Sequence, residues 1–412
     1  MRMPGISIAG GLRSAGGPAG NAREGDHPGG LSSAVPGDGR GPVWAGITRL
    51  ANVVQPRGLA QRNSGSVPGG RQHAPGPRGA DGGDVGPPGR SCPHGGLRFD
   101  CPVPRGGYVW WYIDALSVDG AHGLTLIAFI GSVFSPYYAW ARRRGDPNPL
   151  NHCALNVALY GPRASRWAMT ERGAARLSRE ASVLRIGPSG LHWIDDGMTI
   201  DIDEVCAPLP RRIRGTIRLQ PSALGDLSFV MDASGRHRWT PFAPCARIDV
   251  RLEEPALRWS GLAYFDSNCG AEPLEDAFRH WTWSRASVPG GTVVLYDTAA
   301  RADAHARPAD APDCALALRF GPDAAAQAID PPPVVRLPTT GWRVPRLTRA
   351  DAGHGARLVR TLEDAPFYSR SLLNTRLLGS AAPAIHESVD LDRFRARWVR
   401  CLLPFRMPRG FS

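Results

Sequence analysis

Residues 107–134 read GYVWWYIDALSVDGAHGLTLIAFIGSVF, and the fold turns on whether this apolar stretch spans a membrane or folds back on itself. Its most apolar run, GLTLIAFIGSVF at 123–134, is about a dozen residues long, well short of the roughly 20 that a bilayer-crossing helix needs. The two apolar runs flank SVDGAH, a polar segment of loop length. The stretch therefore reads as a β-hairpin with a longer loop.

The same pattern continues outward from it. LHWI and MTIDIDEV flank Asp195, Asp196 and Gly197, and Asp-Gly is the strongest short hairpin signal. In MTIDIDEV, Met198, Ile200 and Ile202 face one way while Thr199, Asp201 and Asp203 face the other, which is strand periodicity. HCALNVALYG, SRWAMTER, RGTIRLQP and DLSFVMD extend the series at the spacing of an antiparallel sandwich or barrel. A second set follows in GTVVLYD, CALALRF, GWRVPRLT, ARLVRTLED and FYSRSLLNTRLLG, after SNCGAEPLEDAFRHWTWSRAS, which reads as a loop. The expectation is an all-β chain of two antiparallel β-barrel domains in tandem, 96–255 and 256–412, with the change near residue 255 to within about fifteen residues.

A chain of 412 residues is longer than one typical domain. About half of its 49 glycines fall before residue 95, in stretches such as GGRQHAPGPRGADGGDVGPPGR that offer little apolar area to bury, so residues 1–95 are expected to be a disordered tail. The formal charge is +12, carried by arginine alone, since the chain has no lysine. These arginines are spread among acids and form no stripe, which speaks against nucleic acid. What remains is a weak attraction to anionic lipid, about 1 kcal/mol per well-placed charge.

The N-terminus lacks the apolar core of a secretory signal. Cys92, Cys101, Cys153, Cys206, Cys245, Cys269, Cys314 and Cys401 form no CxxC pair and have no histidines at zinc spacing, as free thiols in a reducing cytoplasm would. No GxGxxG or Walker loop supports a nucleotide cofactor. His192, Asp195 and Asp196 match no recognised metal site, and the turn explains the Asp-Gly.

One constellation can carry chemistry. FVMD and RHRWTPF, joined by ASG, place His237 and Trp239 two apart on one strand face. In LAYFD, Tyr264 and Asp266 likewise share a face. If those strands are neighbours, an imidazole, an indole, a phenol and a carboxyl meet. On spacing alone each pair also fits ordinary half-buried strand packing, and Trp281 and Trp283 in HWTWSRA read as packing aromatics.

The segments GGYVWWYIDALSVDGAHGLTLIAFIGSVFSPYYAWAR, DPNPLNHCALNVALYGP, RWAMTERG and YFDSNCGAEPLEDAFRHWTWSRA closely resemble the carotenoid 1,2-hydratases, or hydroxyneurosporene synthases, of purple photosynthetic bacteria. The resemblance covers roughly residues 100–400 and leaves the Gly- and Pro-rich tail outside, as a disordered extension or a start assigned too far upstream. It implies a tandem lipocalin-like fold and cofactor-independent addition of water to the terminal C1,C2 double bond of acyclic carotenoids such as neurosporene and lycopene. It marks His237, Trp239, Tyr264 and Asp266 as matching the family's important positions. The partners it implies are the carotenoid and water, with no nucleic acid, and a place on the cytoplasmic side of the membrane in peripheral contact with lipid.

That chemistry gives the four residues expected roles. An exposed aspartate, with a pKa near 3.9, is ionised at pH 7 and useless as an acid. Burial among Tyr264, Phe265 and Trp259 is expected to raise it, making Asp266 the general acid that protonates C2 and leaves a tertiary cation at C1. Trp239 and Tyr264 are expected to face that cation, at roughly 0.5 to 2 kcal/mol each. His237 is expected to orient the incoming water or take its proton, or else to hold the proton of Asp266 by a hydrogen bond. Two other readings share the fold: a non-catalytic carrier of carotenoid or lipid, and a lyase or isomerase of other terpenoid alkenes. A carrier has no use for a desolvated acid at position 266.

Overall fold

The computed structural model of the protein describes residues 97–301 and 314–410. The expected disordered tail, 1–95, lies outside the described residues. The first sheet begins with β1 (Tyr108–Ser117) and β2 (Gly123–Ile130), followed by helix α1 (Pro136–Arg143). It continues through β3 (Cys153–Tyr160), β4 (Arg166–Arg172), β5 (Leu177–Arg179), β6 (Val183–Ile186), β7 (Ser189–Ile194), β8 (Gly197–Val205) and β9 (Arg212–Pro221). It ends with β10 (Phe229–Val230), β11 (His237–Glu254) and β12 (Leu257–Gly270). The strand order is β4-β3-β2-β1-β12-β11-β9-β8-β7-β6-β5, with β10 beside β11.

Alternation explains why this sheet curls. Val109, Trp111 and Ile113 of β1, Leu126 and Ala128 of β2, Met198, Ile200 and Ile202 of β8 and Phe265 of β12 all enter one buried apolar cluster. Strands from both ends of the order thus share a single core, which a flat sheet cannot supply. The hairpin expected at 107–134 is present: β1 and β2 pair from Val109 opposite Ile130 to Leu116 opposite Gly123. In the β7–β8 hairpin Ile194 pairs with Gly197, so Asp195 and Asp196 form the turn, and Asp195 takes the left-handed conformation at φ 51° that such turns favour.

The second sheet contains β13 (Phe278–Val288), β14 (Gly291–Ala300), β15 (Cys314–Phe320), β16 (Ala326–Ala328), β19 (Arg357–Asp364), β20 (Tyr368–Leu377) and β21 (Ser380–Asp390), in the order β16-β15-β14-β13-β21-β20-β19. A separate pair, β17 (Val334–Leu337) and β18 (Arg346–Arg349), lies between β16 and β19 in the chain. The segment expected as a loop is largely ordered: β12 runs on to Gly270, a short helix α2 (Leu274–Ala277) follows, and β13 begins at Phe278. The sheets change there and not at 255, because Glu254 and Pro255 only turn β11 back into β12, and both strands belong to the first sheet.

The outer face of β1 and β12 is covered by the second sheet. Tyr108, Trp110, Tyr112 and Tyr264 share a second apolar cluster with Trp281, Trp283, Val294 and Tyr296. The far face of the second sheet packs with Leu337 of β17 in a third cluster that includes Ala286, Val293 and Leu373. Helices α3 (Leu391–Arg395) and α4 (Arg397–Arg406) end the described chain and add Phe394, Val399 and Leu403 to the layer between the sheets. No helix among the described residues is long and apolar enough to cross a membrane.

Candidate active site

The four residues singled out from the sequence all lie buried in that intersheet layer. The strands β11 and β12 are neighbours, with His237 opposite Gly270 and Trp239 opposite Asn268. On the other side of β12, Asp266 stands opposite Tyr112 of β1.

Three of the four converge. The Trp239 indole N–H and the Tyr264 hydroxyl both donate to Asp266 Oδ2, each at 2.7 Å. The other oxygen, Oδ1, is buried and has no hydrogen-bond partner among the described residues. With Asp266 only 3% exposed, burial pushes its carboxyl up to about 8, while the two donors pull it down and the carboxylates of Glu387 and Asp114 push it further up. Desolvation wins, so the group is a neutral acid at pH 7. Its proton belongs on Oδ1, because Oδ2 already accepts two hydrogens.

The surroundings are aromatic. The Trp283 ring lies 5.3 Å from those of Tyr264 and Tyr112, and Tyr296 lies 5.5 Å from Trp239. From the sequence, Phe265 and Trp259 are expected to help desolvate Asp266. Phe265 instead points into the first core, as strand alternation requires, and Trp259 packs partly buried against that same core. Tyr112 stands opposite Asp266, Trp283 packs on Tyr264 and Tyr296 on Trp239, so Trp283 and Tyr296 border the two residues that donate to the acid. Trp239 and Tyr264, expected over the cation, direct their polar atoms to Asp266.

His237 does not join them. Gly270, its partner across the ladder, is four residues from Asp266 along β12, about 13 Å at roughly 3.3 Å per residue. His237 Nδ1 lies 2.9 Å from the Tyr108 hydroxyl. Its Nε2 is 3.6 Å from Glu272 Oε1 and makes no hydrogen bond among the described residues. Burial lowers the imidazole pKa, opposed by Asp232 and Glu272, so the ring is held neutral. Gly270 makes room for this arrangement, since a Cβ there would stand 2.5 Å from the Tyr108 ring and 2.7 Å from His237 Nδ1.

An ionic cluster that the sequence reading missed adjoins the acid. Asp114 Oδ2 accepts from Arg370 Nη2 at 2.8 Å, and its Oδ1 lies 2.7 Å from Arg285 Nε in an ion pair not aligned as a hydrogen bond. Glu387 Oε1 accepts from the Arg370 guanidinium and, at 2.8 Å, from the Tyr112 hydroxyl. A signal was available: Tyr112-x-Asp114 repeats the spacing of Tyr264-x-Asp266, and Asp114 interrupts an otherwise apolar strand.

Comparison with known proteins adds a separate finding. A family model described as Carotenoid hydratase CrtC matches residues 126–412. The acyclic carotenoid 1,2-hydratase of Thiocapsa roseopersicina is 54% identical over 411 residues, covering 99% of this chain and 99% of that protein. The protein of the same description from Rubrivivax gelatinosus is 48% identical over 397 residues, 95% of this chain and 94% of its own. The similarity to the Thiocapsa protein extends through the Gly- and Pro-rich region, which corrects the expectation that residues before 95 fall outside the resemblance. Among solved structures, kievitone hydratase from Nectria haematococca aligns with 70% of this chain and 92% of its own at 9% identity, with a TM-score of 0.43.

Proposed function

The chain belongs to the carotenoid hydratase family, and from that membership we infer that it is an acyclic carotenoid 1,2-hydratase. As a hydro-lyase it adds water across the terminal C1,C2 double bond of substrates such as neurosporene and lycopene, leaving a tertiary 1-hydroxy end. The observation that carries the mechanism is the carboxyl of Asp266: buried, bound on one oxygen by two neutral donors, and unpartnered on the other.

A proton on Oδ1 has no acceptor among the described residues, so an alkene π bond placed against it becomes its acceptor. Transfer to C2 leaves positive charge on the tertiary C1. The carboxylate formed is stabilised by the Trp239 and Tyr264 hydrogen bonds already aimed at Oδ2, which need no reorganisation during the step. The rings of Trp239, Tyr264 and Trp283 offer π faces to the cation, at roughly 0.5 to 2 kcal/mol each. Because C1 and C2 are bonded neighbours, the same carboxylate lies within reach of a water adding to C1. It takes that water's proton and is restored, so hydrogen goes to C2, hydroxyl to C1, and no cofactor is consumed.

We assign His237 to the water side of this reaction. It is neutral and lies between the buried Tyr108 and Glu272, whose side chain is 25% exposed. From there it is placed to orient water entering the aromatic layer. Because the substrate resides in lipid, we place the enzyme peripherally on the cytoplasmic side of the membrane. We further propose that the two sheets are lipocalin-like units in tandem, the first ending at Gly270 and the second starting at Phe278.

The test is Asp266→Asn, which preserves shape and removes the acid. Purified wild type incubated with lycopene in detergent micelles should give a product heavier by one water, and the variant should give none above background. Near-normal hydration by a folded Asp266→Asn protein would overturn the assignment.

A further inference from the structure

We propose that α4 and the Trp342–Arg343 turn form the surface by which this protein sits on an anionic lipid bilayer. The proposal rests on the reading of the substrate as a bilayer-resident carotenoid and names where the protein meets that bilayer.

Helix α4 is apolar on two sides. Val399 and Leu403 face inward and are buried, as is Met407 just beyond the helix. Trp398, Leu402 and Phe405, spaced four and three apart and so on one helical face, are 47%, 44% and 71% exposed. Trp342, 44% exposed, lies with its ring 6.1 Å from that of Trp398, in a stacked arrangement. The Arg393 guanidinium donates to the Trp342 carbonyl and fixes that turn against the helical end of the chain. Single exposed apolar residues need no explanation, but four large ones side by side mark an interaction surface.

Charge indicates the occupant. Arg343 and Arg397 flank these side chains, are exposed, and form no ion pair among the described residues. Tryptophans and bulky aliphatics with arginines beside them suit the boundary between acyl chains and anionic headgroups. A second copy of the chain, packed through the same face about a two-fold axis, would bring these arginines against each other.

The surface is also continuous with the site. Phe394, just before α4, lies 5.9 Å from the Phe134 ring. From Phe134 the rings continue to Phe129 at 6.3 Å, Trp110 at 6.0 Å and Trp281 at 6.2 Å, inside the layer that holds Asp266. An apolar chain drawn from lipid beneath α4 would meet apolar rings along that line.

The experiment is co-sedimentation of the purified full chain with vesicles of phosphatidylcholine, with or without phosphatidylglycerol. Wild type should bind the anionic vesicles more tightly than the neutral ones. Trp398→Ser combined with Phe405→Ser should lower partition onto both vesicle types by about tenfold or more. Arg343→Glu combined with Arg397→Glu should remove the preference for anionic vesicles and leave binding to neutral ones in place. Unaltered melting curves establish that the variants fold. Wild-type partition by both folded pairs would overturn the proposal, as would light scattering that shows a wild-type dimer made monomeric by Phe405→Ser. Hydration of lycopene in micelles by wild type is scored separately: its absence refutes the catalytic reading, while the vesicle results still decide the surface.

Discussion

Asp114 and Asp266 stand on neighbouring strands and differ mainly in their company. Both are buried on the same face of the first sheet, Asp114 opposite Tyr264 and Asp266 opposite Tyr112. Asp114 is held between the guanidinium groups of Arg370 and Arg285. Among the described residues, Asp266 accepts from an indole N–H and a phenol O–H. Guanidinium groups give a buried carboxyl a counter-charge, whereas neutral donors leave desolvation to favour the protonated form. Burial alone therefore does not create an acid, and the nearby carboxyls of Glu387 and Asp114 add to the desolvation that opposes ionisation of Asp266.

One substitution made at both positions tests this contrast. Asp266→Asn should lower turnover by about a thousandfold or more, within the upper range for loss of a general acid, while the protein still folds. It should also change how stability depends on pH. The folded carboxyl holds its proton up to about 8, whereas an aspartate in the unfolded chain titrates near 3.9. The stabilisation is thus fully present below the unfolded pKa and is lost as pH rises through the folded one. Wild type should lose stability across that interval relative to Asp266→Asn, as melting temperatures near pH 5 and near pH 9 will report. Asp114→Asn should do the opposite, leaving Arg370 and Arg285 short of a counter-charge and costing about 3 to 5 kcal/mol in urea unfolding. A cost under about 1 kcal/mol would show that Glu387 alone satisfies the cations and that the contrast between the aspartates is overstated.

Much of this arrangement was legible in the sequence because strand periodicity is local. The hairpin at 107–134, the alternation in β8 and the shared faces of His237 with Trp239 and Tyr264 with Asp266 all follow from a period of two. What lay beyond reach depended on register and on the second sheet. Phe265 sits next to Asp266 in sequence and faces the other way, whereas Trp283 and Tyr296, distant in sequence, pack on the Tyr264 and Trp239 that hold the acid. Nothing in RHRWTPF states that its first residue pairs with Gly270, yet that register separates His237 from Asp266. The change expected near residue 255 falls inside the first sheet, because Glu254 and Pro255 form a tight turn between two long paired strands.

The neutral donors invite a finer test. Tyr264→Phe removes one of the two hydrogen bonds to Oδ2, and a hydrogen bond to a charged group contributes about 1.5 to 3 kcal/mol. Losing it destabilises the carboxylate relative to the acid, so the pKa of Asp266 rises, by about one to two units. The pH–rate profile should fall above about 8 in wild type, where Asp266 loses its proton, and that limb should move to higher pH in Tyr264→Phe. Turnover should drop about tenfold, since the acid is weaker and its conjugate base less well held. An unmoved limb would mean that another group sets it.

His237 defines the far end of the comparison, because it shares the aromatic layer with Asp266 and touches neither oxygen of that carboxyl. At about 13 Å along the strands, with Tyr108 on one nitrogen and Glu272 beyond the other, it has little leverage on the acid's proton affinity. His237→Gln keeps a polar side chain at the water side and should slow turnover while leaving the alkaline limb within about 0.3 units of wild type. A limb that moves with His237→Gln as far as it moves with Tyr264→Phe would require the imidazole to reach the carboxyl during turnover, and the strands to shift to allow it.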